Sequence, residues 1–267
     1  MKYTVVSVRN EKEQSFPLAG LQILSNGDDT KSTGPILVVV RLAENGCLLT
    51  HLKKNRKNPY VNDKCHDSSQ IDKLRIARDV ANGMLHLATK KCVHRDLAAR
   101  NVLLGKNNVA MVSDFGMSRD VYVSGEYENT TGGMLPVRWM ALESLEDYTY
   151  DTKTDVWSFG VVLWEIQSGG KTPYSGLGGM DVVDFLKSEK RLKQPDGCPD
   201  EIYEIMISCW RLDPSERPSF SDLVTSLERE LLNRDHYPKE KGLETESHGN
   251  VNFSAEVDSH EEQTTSF

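Results

Sequence analysis

Three polar side chains stand in a fixed order in the middle of this chain. Asp96 follows His94 and Arg95, Asn101 comes five residues after it, and Asp114 opens the triplet Asp114-Phe115-Gly116. Carboxylates and a carboxamide in that order suit transfer of a phosphoryl group to a hydroxyl. The reaction has a loose transition state, so a site contributes mainly positioning and charge neutralisation. It needs one carboxylate beside the attacking hydroxyl, and Asp96 is the candidate. It also needs hard oxygen ligands for Mg²⁺, and Asn101 with Asp114 can supply them. A lone His-Arg-Asp tripeptide carries little weight; the ordered set carries much more.

Composition narrows the alternatives. The net charge of −8 comes with no basic block, so nucleic acid is not an expected partner. Five cysteines are scattered without CxxC or Cys/His spacing, which argues against a zinc site and for a reducing compartment. The opening MKYTVVSVRNEKEQ lacks the apolar core of a secretory signal. No apolar run approaches the roughly 18 residues of a membrane helix. The expectation is a soluble, cytoplasmic chain with no membrane segment.

Several elements must hold those residues in place. VVSV, LAGLQIL and ILVVV (36–40) read as strands, and CLLTHLKKNRK as a short amphipathic helix. From Ile71, apolar residues recur at helical spacing through Leu74, Ala77, Val80, Ala81, Met84, Leu85 and Ala88. NVLL and VAMV predict short strands around the Asn101–Asp114 interval. TDVWSFGVVLWEI is apolar nearly all round and predicts a helix buried on every side, with Trp157 and Trp164 in the core. PDEIYEIMISCWRL and SFSDLVTSLERELL predict two more helices, the second opening on a Ser219-x-x-Asp222 cap. Beyond Asp235 the tail is polar and aperiodic, with seven acids against two lysines, and disorder is its expected state.

HRDLAARN, DFG and LPVRWMALESL (135–145) together resemble the protein kinases, and within them the tyrosine kinases, over about Ile36 to Leu232. Ala98 stands where serine/threonine kinases place lysine, and Arg100 supplies the cation instead, as in receptor-type tyrosine kinases. DFGMSRDVY with LPVRWMALES is most similar to the insulin-receptor group. The resemblance implies an α+β, protein-kinase-like fold with a mainly helical C-lobe, and a protein tyrosine kinase using ATP and Mg²⁺, with Mn²⁺ as an alternative. It makes Asp96 the catalytic base, Arg100 an assisting cation, and Asn101 and Asp114 the metal ligands. Val40, Leu42, Ala43 and Leu103 would line the ATP site, with Val40 as gatekeeper. Pro136 would dock the substrate tyrosine. Tyr127 and Tyr122 would be phosphorylation sites facing Arg95. His94 and Phe115 would stack in a regulatory column, Asp155 would cap the catalytic-loop amides, and Glu143 would pair with Arg217. Partners implied are tyrosine-bearing protein substrates and a possible second kinase domain.

The chain departs from the family pattern in its first forty residues. No Gly-x-Gly-x-x-Gly occurs before the expected hinge at Arg41–Ala43, and Arg9 in VSVR is the candidate for the lysine position. Leu142 replaces the usual proline of Ala-Pro-Glu. The expected division is a largely missing β N-lobe over 1–39, hinge and C-lobe over 40–235, and an acidic tail over 236–267. Two other readings stay open: an impaired, kinase-like binding module, and a fragment of a longer receptor kinase.

Overall fold

In the computed structural model, which describes residues 3–8, 22–23, 36–41, 43–56, 66–114, 119–120 and 135–235, the chain runs from an antiparallel sheet into a helical body. β1 (Tyr3–Val8), β2 (Gln22–Ile23) and β3 (Ile36–Arg41) form the sheet in the order β1-β3-β2, with Tyr3 opposite Arg41 and Ile23 opposite Val38. β3 continues through Val40 and Arg41, so the expected domain boundary at residue 40 falls inside a strand.

β4 (Gly46–Cys47), α1 (Leu48–Arg56), α2 (His66–Thr89) and β5 (Cys92–Val93) follow. β6 (Val102–Leu104) and β7 (Ala110–Val112) make an antiparallel hairpin with β4 on its edge, and β8 (Arg119–Asp120) pairs with β5. α3 (Leu142–Glu146), α4 (Thr152–Gln167), α5 (Gly179–Lys187), α6 (Asp200–Cys209) and α7 (Phe220–Asp235) complete the body.

α4 is the axis of that body. Asp151 starts it with a capping box, its Oδ1 accepting from Lys153 N at 2.8 Å and Thr154 N at 2.9 Å. Val156, Trp157, Phe159, Val161, Val162, Leu163 and Ile166 are fully buried. A helix can be apolar on all sides only if other elements cover all sides; here α2 and α6 pack against it. Gly160 lets α6 approach closely, since a Cβ there would lie 2.6 Å from Trp210 Nε1. Gly169 and Gly170 end the helix at φ +67° and +74°, and Gly170 N donates to Glu165 O at 2.8 Å.

Four differences from the sequence-based expectations have local causes. α2 begins at His66 rather than Ile71, because its first turn is polar and shows no periodicity. The sequence pattern gives no helix at α3, which has five residues, or at α5, which buries only Val182 and Leu186. The two-residue strands β4, β5 and β8 are too short to show alternation. Trp164, expected in the core beside Trp157, is only half-buried and donates through Nε1 to Lys193 O at 2.8 Å. Among the described residues, no helix is long and apolar enough to cross a membrane.

Candidate active site

The segment from His94 to Asn101 links β5 to β6 as a loop, and one carboxylate from α4 holds its start. Asp155 accepts from His94 N at 2.8 Å and from Arg95 N at 3.0 Å. Two successive amides meet one side chain because Arg95 takes a left-handed φ of 70°. Asp155 is 2 % exposed. Burial pushes its carboxyl up to about 7, against the opposing pull of the two amide hydrogen bonds. His94 is also buried, which lowers its pKa, and its Nε2 lies 3.1 Å from Ser113 O.

Asp96 sits on this loop with both carboxylate oxygens engaged. Arg100 donates to Oδ1, and Asn101 Nδ2 donates to Oδ2 at 2.8 Å and to Asp96 O at 2.7 Å. Ser113 then ties the hairpin back to the loop, its N and Oγ both donating to Asn101 O at 2.9 Å. Asp114 follows immediately, exposed and at φ 63°. Asp96 and Asn101 are therefore in direct contact, and Asp114 is one residue from a hydrogen bond to Asn101. Asn101 gives its amide hydrogens to Asp96, and its Oδ1 accepts no hydrogen bond among the described residues. A carboxamide oxygen and an exposed carboxylate are hard donors of the kind Mg²⁺ takes alongside phosphate oxygens. The residues present fit that ion.

Two residues not singled out from sequence join this loop to the 135–140 segment. Trp139 Nε1 donates to Glu165 Oε2 at 2.9 Å, and Ala99 N donates to the same oxygen at 2.9 Å. Burial raises the Glu165 pKa, with both hydrogen bonds acting against it. Arg100 lies 4.3 Å over the Trp139 ring, a cation–π contact. Pro136 is half-buried next to exposed Leu135, and Trp139 N donates to Pro136 O at 2.9 Å. The signal for Glu165 was present: it is the one acid in the apolar stretch 156–166.

Glu143 and Arg217 form a bidentate pair, with Nη1–Oε1 at 2.6 Å and Nη2–Oε2 at 3.0 Å. Arg217 is 2 % exposed and also donates to Arg211 O, Leu212 O and Lys153 O. Leu142 begins α3, so a helix forms there without the family proline.

On the expected nucleotide side, half-buried Ala43 precedes β4, where Cys47 pairs with Leu103. Val40 lies in β3 opposite Thr4. Leu42, Phe115, Tyr122, Tyr127 and Arg9 lie outside the described residues. Arg95 places its guanidinium 4.9 Å from the Tyr150 ring.

The family profile described as protein tyrosine and serine/threonine kinase matches residues 22–227. A fibroblast growth factor receptor of Hydra vulgaris is 42 % identical over 200 residues, 74 % of this chain and 24 % of the relative. Fibroblast growth factor receptor 1 of Xenopus laevis is 42 % identical over 206 residues, 74 % of this chain and 25 % of the relative. This chain thus spans about a quarter of the length of either. The likeness to the insulin-receptor group expected from DFGMSRDVY is corrected accordingly: these relatives are fibroblast growth factor receptors.

Proposed function

This chain belongs to the protein tyrosine and serine/threonine kinase family, and on that premise we propose that it bears the catalytic lobe of a receptor-type protein tyrosine kinase. The reaction is transfer of the ATP γ-phosphoryl group to a protein tyrosine. One observation carries the proposal: the Asp96 carboxylate is fixed from both sides, by Arg100 and by Asn101 Nδ2, on a loop anchored to buried Asp155.

In this scheme Asp96 accepts the tyrosine proton as the phenolic oxygen bonds to phosphorus and the bond to the β-phosphate oxygen breaks, releasing ADP. Asn101 and Asp114 hold Mg²⁺, which neutralises charge on the transferring phosphates. Arg100 keeps the base oriented, and its contact with Trp139 couples it to the segment where Pro136 receives the phenol ring. Tyr127 and Tyr122 are phosphorylation sites, and phosphate there would draw on Arg95 to order the segment between Asp114 and Leu135. Val40, Leu42, Ala43 and Leu103 take the adenine. The relatives' names support a receptor parent, whose kinase domain would work in the cytoplasm on tyrosine-bearing proteins and pair with a second copy.

A second reading, a kinase-like binding module, is favoured by one observation: no Gly-x-Gly-x-x-Gly precedes Val40. The Arg9 alternative to the family lysine points the same way. Charge-assisted hydrogen bonds to phosphate are worth about 1.5–3 kcal/mol each, so this chain alone should hold nucleotide weakly. Thermal denaturation with millimolar ATP, with and without Mg²⁺, separates the readings. An Mg²⁺-dependent rise in Tm supports the kinase; no rise in either condition leaves the binding module.

A further inference from the structure

A cavity of about 650 Å³ lies between the last turn of α1, the end of α4 and the residues after it. Its lining includes Lys53, Arg56, Lys171 and Lys193, and no acid. Trp164 and Leu192 give it an apolar wall. Tyr174 also lines it, 6 % exposed, with a hydroxyl that has no hydrogen-bond partner among the described residues. Among the described residues only Lys171 of the four cations has a carboxylate within ion-pair distance, Asp196 at 3.4 Å. Lys53 and Arg56 complement the dipole at the end of α1, but Lys171 and Lys193 belong to no helix and have no such reason to converge.

We propose that this cleft binds the acidic C-terminal segment of the chain itself, residues 236–267. Charge complementarity favours it: that segment has seven acids and two lysines, facing four cations. So does the point of departure. Arg234, in the last turn of α7, lies 3.8 Å from Glu201. Asp200, the residue before Glu201, accepts from Gln194 Nε2 at 2.8 Å, and Gln194 adjoins Lys193 of the cleft. A run of contacts thus links the start of the segment to the rim of the cleft. Glu240, Glu244 and Glu246 come five, nine and eleven residues after Asp235. At no more than about 3.3–3.6 Å per residue, eleven residues can span up to about 40 Å. An acidic segment of another protein could meet the same cations, but it would lack this tethering, which raises local concentration.

Zero-length carbodiimide coupling of the full chain, followed by peptide mass mapping, tests the assignment. The expected product is an amide between an acid of 240–262 and Lys53, Lys171 or Lys193 in monomeric protein. Its yield should exceed several-fold that at the exposed Lys90, Lys106 and Lys190. In 1 M salt, where screening acts within about 3 Å, the excess should vanish. A Lys53→Glu/Arg56→Glu double variant, altered only at exposed positions, should also lose the links at Lys171 and Lys193. Links spread evenly over surface lysines, links confined to cross-linked dimers, or cleft links that survive the double variant would each overturn the proposal.

Discussion

Asp155 illustrates how one side chain can tie site geometry to pH. An unfolded aspartate ionises near about 3.9, whereas burial holds folded Asp155 at about 7. Between those values the unfolded chain has released a proton that the folded chain keeps. Folding stability contributed by this residue therefore falls as pH rises through the window, and levels off above about 7. Asp155→Asn cannot ionise and should lack this slope, which urea midpoints measured across the window will show; identical slopes in both proteins would contradict it. Arg217 provides a second case with a larger cost. Glu143→Ala leaves a 2 % exposed guanidinium facing no carboxylate. We expect about 3–5 kcal/mol of lost stability in chemical denaturation. A loss below 1 kcal/mol would mean that the three carbonyl contacts of Arg217 suffice without the acid.

Helix α4 sets the tolerance of the whole body to change. Alanine is normally the better helix residue than glycine by roughly 0.5–1 kcal/mol. At Gly160 the added methyl would lie 2.6 Å from Trp210 Nε1 and 2.8 Å from Cys209 Cβ. Overpacking costs about 1–3 kcal/mol, so clash outweighs propensity and Gly160→Ala should lower Tm; an unchanged or higher Tm would show that α6 can move away. Helical spacing of apolar residues makes α2 legible, and α4 is legible because it is apolar nearly all round. α5 was harder to read: its buried side chains are only Val182 and Leu186, which follow a glycine-rich stretch. The order of Asp96, Asn101 and Asp114 in the chain points to the contact seen between the first two. Glu165 is not legible in this way, because an apolar helix pattern signals core packing and gives its one acid no role. Trp164 looked like core for the same reason, yet it faces the basic cleft.

At the scale of the molecule, the loop from His94 to Asn101 and the 135–140 segment converge because α4 contacts both. Asp155 holds the first, and Ser158 Oγ donates to Trp139 O at 2.7 Å in the second. Glu165 bridges the loop to Trp139. Ser113 closes the remaining side by binding Asn101 O. That convergence puts the Asp96 carboxylate in contact with Asn101, through bonds that involve no part of the β1–β3 sheet. In the proposed function, the sheet would bear on how tightly nucleotide is held, and the loop on whether phosphate can move. Transfer of ³²P from γ-labelled ATP to a tyrosine peptide, comparing this chain with Asp96→Asn, tests that claim most directly. Loss of the base should lower the rate about 10²- to 10⁴-fold. Equal rates for the two proteins, at any measurable level, would contradict it.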